Sequence, residues 1–101
     1  MRLQFIALAK RELFRIHARY ERERPGLGDR FADEIQSAIT SIKDHPHAWI
    51  RLDAILRRRN LRHFPYHLVY AVDGQEITII AVSHHRRRPG YWRRRVSPTR
   101  A

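Results

Sequence analysis

His63-Phe64-Pro65-Tyr66-His67-Leu68-Val69-Tyr70-Ala71-Val72-Asp73-Gly74, followed by Glu76-Ile77-Thr78-Ile79-Ile80-Ala81-Val82-Ser83, is the stretch that decides the fold. Its first half is rich in β-branched and aromatic residues. Phe64, Tyr66, Leu68, Tyr70 and Val72 fall on one side of a strand, with Pro65, His67, Val69 and Ala71 opposite. Asp73-Gly74 supplies the positive-φ pair that a two-residue hairpin turn needs, so Glu76 to Ser83 is read as the returning strand. Proline has no N–H for a ladder, which places Pro65 at a strand start or an edge. Ile80 and Val82 add apolar residues to both parities of the second strand, so the two faces are not separated by alternation alone. The expected core is Phe64, Tyr66, Leu68, Tyr70, Ile77 and Ile79, packed against residues from the helices upstream.

Upstream of the hairpin the apolar period changes. Ala9, Leu13, Ile16 and Tyr20 recur at helical spacing, with Arg11, Glu12, Arg15, Arg19 and Glu23 mostly between them. Pro25-Gly26 and Gly28 interrupt that helix. A second apolar stripe, Leu27, Phe31, Ile35, Ala38, Ile39 and Ile42, runs on until Pro46 forbids continuation. So short a connection implies two antiparallel helices. Leu3-Gln4-Phe5-Ile6 is a candidate strand, and Arg57 to Arg62 a polar, exposed one. The predicted class is α+β: a two-helix hairpin on a small, mainly antiparallel sheet, in the order β-α-α-β-β-β. A short C-terminal helix or turn is expected near Tyr91, and Val96 to Ala101 reads as a frayed end.

At 101 residues the chain suits a single domain. The net charge of +11 is unevenly placed. Residues 1–50 hold nine Lys/Arg against seven Asp/Glu, a balance of +2, whereas residues 51–101 hold twelve against three, a balance of +9. So polarised a field marks a binding face for a polyanion, either nucleic acid or an acidic protein. With 19 arginines against two lysines, an arginine at any one position carries little information by itself. There is no cysteine, which excludes disulfides and thiolate metal sites. No apolar run nears the ~20 residues of a membrane span, and the N-terminus meets charge too early for a signal peptide, so a cytoplasmic protein is expected.

The densest chemistry lies after the hairpin, in Ser83-His84-His85-Arg86-Arg87-Arg88-Pro89-Gly90-Tyr91-Trp92-Arg93-Arg94-Arg95. Seven histidines raise the question of a metal, but His63 and His67 on one strand would stand ~13 Å apart. No cysteine or carboxylate lies at ligand spacing, so neither metal nor cofactor is expected. No serine lies in a Gly-x-Ser-x-Gly turn, and phosphate-loop motifs are absent. Metal-free RNA cleavage remains possible. It needs a base for the 2′-hydroxyl, cations for the phosphorane and an acid for the leaving oxygen. The candidates are His67 and His84 (with His85) for the proton, Arg58 and Arg87 for charge, and Tyr91 as acid or positioning group. Pairing of the hairpin strands is expected to bring His67 and His84 onto one surface. Arg62, Arg86, Arg88, Trp92 and Arg93 are candidate RNA- or partner-binding residues. A non-catalytic binding module satisfies the same charge pattern.

Several motifs resemble the RelE/ParE superfamily, the toxins of type II toxin–antitoxin systems also called plasmid-stabilisation proteins. The resemblance rests on Gly26-Leu27-Gly28-Asp29-Arg30-Phe31, Pro46, Phe64-Pro65-Tyr66-His67-Leu68-Val69-Tyr70 and His84 to Trp92, and spans Leu3 to about Arg95. It implies a growth-arresting toxin held in a hetero-oligomer with a cognate acidic, partly disordered antitoxin. One branch cleaves mRNA on the ribosome; the ParE-like branch poisons DNA gyrase. Arg87 matches the arginine after the last strand of the ribonuclease branch, and Tyr91 lies within a residue or two of its C-terminal tyrosine. Arg58 falls near a basic position of that branch. His67 stands where it has an arginine, and its lysine pair is missing here. The His-x-Arg-Arg ending resembles ParE-like sequences equally well, while the positive charge favours phosphate contacts and hence the ribosome. A decayed toxin that only binds its partner is the third reading.

Overall fold

The apolar stripes and the Asp73-Gly74 turn build the elements they predict. The computed structural model describes residues 2–96. In chain order these are β1 (Arg2–Phe5), α1 (Ala7–Glu23), α2 (Leu27–Asp44), β2 (Ile50–Arg51), β3 (Leu56–Asn60), β4 (Tyr66–Asp73), β5 (Glu76–His84) and a 3-10 turn, Tyr91–Arg95. The sheet order is β1-β5-β4-β3-β2, antiparallel except for the β1–β5 pair. The α+β reading and the two-helix hairpin hold. One strand is added to the expected order: Ile50–Arg51 pairs with Arg57 and Arg58, and two residues are too few to leave a pattern in the sequence. Val96, expected to fray, is half-buried against the outer face of the sheet; the rest of the expected frayed end, residues 97–101, lies outside the described residues.

The helices cover one face of the sheet. Phe31, Ile35 and Ile42 of α2 meet Tyr66, Leu68, Tyr70, Ile77 and Ile79, all buried, with Phe64 half-buried beside them. Phe31 is edge-on to Phe64 and Tyr66, with ring centroids 5.3 and 5.8 Å away, an arrangement that adds to simple area burial. The helices come close at Gly28, where a Cβ would lie 2.7 Å from the carbonyl oxygen of His17. Glu21 accepts from the backbone N–H groups of Gly26 and Gly28, satisfying donors that the start of α2 leaves open.

The opposite face is covered too. Leu56, Val69, Ile80 and Ala81 form a second cluster closed by Trp92 of the 3-10 turn. An irregularity in β5 makes this possible. Val69 pairs with Ala81 but Tyr70 pairs with Ile79, so Ile80 is an extra residue, a β-bulge. Before it Ile77 and Ile79 face the helices; after it Val82 does, while Ile80 and Ala81 face outward. That shift of parity decides which chemistry each face carries.

β1 runs beside β5 only as far as Ile79. Beyond that point the bare β5 edge is taken up by side chains. The Val82 N–H donates to Glu12 of α1, and the Ile80 carbonyl accepts from Arg95 of the 3-10 turn. A buried strand edge left without such partners would be expensive.

Candidate functional site

Glu12 is the centre of the basic C-terminal region, although its sequence position reads as a solvated helix face. It lies one turn from Ala9 and Ile16, on the buried side of α1, and is 4% exposed. Arg95 grips it with two bonds, Nη1 to Oε1 at 2.9 Å and Nη2 to Oε2 at 3.0 Å. The Tyr91 hydroxyl donates to Oε2 at 2.8 Å, and Arg87 Nη1 approaches the same oxygen at 3.5 Å. The Arg87 guanidinium also lies over the Tyr91 ring, 3.5 Å from its centroid, with Arg95 at 5.0 Å. One buried carboxylate therefore gathers two arginines and a tyrosine from the C-terminal run and fixes them to α1. Burial, and then the bond to Glu12, push the Tyr91 hydroxyl above its ordinary range, so it holds its proton. That proton is already directed at Glu12.

The expected meeting of His67 and His84 does not occur. Tyr66 pairs with His84 and His67 with Ser83, so the two histidines occupy adjacent, oppositely facing positions of the ladder. His84 faces the helices, with its ring 4.9 Å from that of Tyr66, and its Nδ1 accepts from the Arg86 N–H. His67 faces outward and stacks on His85 instead, with ring centroids 5.2 Å apart and Nδ1 atoms 3.0 Å apart. Arg58 shares this outward face, held by Asn60, and together with Ser83, Arg87 and Trp92 the group lines a small cavity of about 70 Å³.

Burial lowers His67 to about 4, with the positive charges of Arg58, His85 and His84 adding to the effect. His85 is lowered for the same leading reason. One of the two Nδ1 atoms must carry a proton and the other accept it, a bond that full protonation of both rings would break. Because the folded-state value lies below that of the free side chain, the unfolded chain binds more protons between them. Stability is therefore complete above about pH 6.5 and is lost as pH falls towards about 4. The expected loss across that window is on the order of 3 kcal/mol. Urea midpoints measured from pH 7 to pH 4.5 should show it. A His67→Gln variant should give a flatter profile, and an equally steep one would remove His67 as the cause.

The other candidate residues are dispersed. Trp92, expected among the RNA- or partner-binding residues, is 5% exposed and packs on the sheet. Arg93 lies over its ring and pairs with Asp53 at 2.8 Å. Arg86 and Arg88 project from the exposed turn after β5. The exposed Arg62 follows β3, where its backbone N–H and that of His63 donate to Glu34. Three potential metal-ligating atoms, from His17, Glu21 and Asp29, lie within 4.8 Å of one another. His17 and Glu21 stand four residues apart on α1, a helical spacing passed over in the sequence, and only Asp29, brought from α2 by the fold, could not be read from spacing. In the structure His17 bonds Asp29 while Glu21 serves the start of α2. Among the described residues, no helix is long and apolar enough to cross a membrane.

Two comparisons agree with this architecture. The family model described as the ParE toxin of the type II toxin–antitoxin system, parDE, matches residues 3–89. A solved structure titled a chromosomal ParDE TA system from P. aeruginosa superimposes with a TM-score of 0.72 at 18% identity, covering 83% of this chain and 95% of that one. No curated protein matches the sequence.

Proposed function

Because the chain belongs to the ParE toxin family of type II toxin–antitoxin systems, we propose that it arrests growth by poisoning DNA gyrase and not by cutting RNA. Membership implies an antitoxin as partner. The choice of target rests on one observation, the lack of a free acid beside the His67–His85 pair: Arg58 and Arg87 share its cavity, but the Tyr91 proton is directed at Glu12 and His84 faces the helices. A base and an acid must flank the same phosphodiester, within hydrogen-bond reach of its oxygens. Here His84 and His67 lie on opposite faces of the sheet, and Arg87 and Tyr91 are committed to Glu12. Positive charge alone draws RNA towards a surface without cleaving it. In this reading Arg58, His85 and the exposed Arg86 and Arg88 are contact residues for a macromolecular target, and the buried His67 positions His85.

The test runs purified gyrase and a reconstituted translation reaction in parallel. Stabilised gyrase–DNA breaks, with mRNA left intact, are the expected result. Cleaved mRNA that disappears in Arg87→Ala would replace this reading with the ribonuclease. Silence in both assays would leave a partner-binding protein without toxicity.

A further inference from the structure

The closed end of the helical hairpin brings three metal-ligating side chains together, away from the sheet face that carries the histidine pair. His17 and Glu21 lie one turn apart on a single flank of α1. The connection to α2 is only three residues, Arg24 to Gly26, and Gly26 turns it at φ 90°. Gly28 then lets the helices touch: a Cβ there would lie 2.7 Å from both the His17 carbonyl oxygen and Glu21 Oε1. Asp29 is the next residue, and this close approach sets its Oδ1 3.2 Å from His17 Nε2. One nitrogen and two carboxylate oxygens thus lie within 4.8 Å of one another. Glu21 is oriented by the Gly26 and Gly28 N–H groups, one on each oxygen at 2.8 Å, and each oxygen keeps a second lone pair. In a chain with 21 Lys/Arg, no arginine or lysine pairs with Glu21 or Asp29 among the described residues.

We propose that His17, Glu21 and Asp29 form a zinc site that pins α1 to α2, with the fourth position open to water. Two carboxylates this close repel each other, and a divalent cation between them replaces that repulsion with attraction. The mixed donor set selects the ion. Calcium and magnesium take oxygen ligands almost throughout, whereas imidazole nitrogen beside carboxylate oxygen suits zinc. With bonds of about 2.0–2.1 Å, tetrahedral zinc needs its ligand atoms ~3.3 Å apart. The His17–Asp29 pair already meets that spacing at 3.2 Å. The remaining gap to Glu21 closes by small rotations of His17 and Asp29, whose side chains are 36% and 78% exposed. Zinc takes the Nε2 lone pair, so the imidazole carries its proton on Nδ1. The two backbone N–H groups on Glu21 then act as the outer shell that holds a ligating carboxylate in place.

The test titrates the whole protein, first stripped with EDTA, with zinc chloride, followed by calorimetry and by thermal unfolding. One zinc per chain is expected, with Tm rising by about 10 °C once free zinc is about a hundred times Kd. His17→Gln and Asp29→Asn are each expected to weaken binding by about tenfold or more and to lose most of the rise in Tm. His63→Gln removes another histidine that sits 2.8 Å from a carboxylate, that of Glu34, but without a third ligand atom among the described residues. That variant should keep zinc affinity within about twofold. Zinc binding that survives His17→Gln, or that falls equally in His63→Gln, would place the ion elsewhere and overturn the proposal. Calcium bound as tightly as zinc, and indifferent to His17→Gln, would overturn it in favour of an oxygen-only site. A zinc Kd weaker than about 100 μM would reduce the cluster to ordinary surface ligands and overturn it as well.

Discussion

Glu12→Ala is expected to lower the unfolding free energy by about 3–5 kcal/mol, the cost of stranding one member of a buried ion pair. The side chains of Arg95 and Glu12 are only 13% and 5% exposed, so water cannot replace the lost partner cheaply. The Val82 N–H and the Tyr91 hydroxyl lose their acceptor in the same step. For a chain of this size such a loss corresponds to a fall in Tm of more than ~10 °C. Glu12→Gln keeps the shape and one acceptor, and should cost less. The double replacement Glu12→Leu with Arg95→Met should recover much of the loss, because a well-packed apolar pair rivals a buried ionic one. Urea denaturation of the four proteins measures all of this. A change under about 1 kcal/mol in Glu12→Ala would mean that the clamp is not a structural element.

Trp92→Ala should be comparably severe, at about 3–5 kcal/mol, for a different reason. The indole closes the cluster of Leu56, Val69, Ile80 and Ala81 on a face of the sheet that no helix covers. Removing it opens that cluster to water and frees the turn carrying Arg93 and Arg94. Arg93→Ala, which breaks an exposed pair with Asp53, should cost less than about 1 kcal/mol. The contrast separates an anchor from a surface charge. Equal effects in the two variants would show that the turn is held by its charges, and hydrogen exchange of Ile80 and Ala81 would then stay unchanged in Trp92→Ala.

Much of this fold was legible because local signals agreed with one another. The stripe Phe31, Ile35, Ile42 and the alternation Tyr66, Leu68, Tyr70 each name a buried face, and Asp73-Gly74 fixes the partner strand. The bulge was not legible. Ile77-Thr78-Ile79-Ile80-Ala81-Val82 is apolar at both parities, so an extra residue leaves no mark on its pattern. That one hidden insertion is why His67 and His84 do not share a surface and His85 stacks on His67 instead. Glu12 was legible in principle, since it stands three residues after Ala9 and four before Ile16. Charged residues on a helix are so often solvated that its position in the stripe was outweighed. Trp92 illustrates the opposite case: flanking arginines put it among the candidate binding residues, and the structure buries its ring against the sheet.

The clamp joins residues 83 positions apart in the sequence, and β1 joins β5 from Arg2 to Glu76. Closing loops of that length costs entropy before any contact repays it. The helical hairpin and the β4–β5 hairpin can form from neighbours, while the two ends of the chain meet only once both exist. Contacts made that late are expected to be missing from the folding transition state, so Glu12→Ala should unfold faster and refold at nearly the wild-type rate in stopped-flow measurements. The lifetime of the native protein, more than its rate of formation, is then set by how long Glu12 and Arg95 stay together.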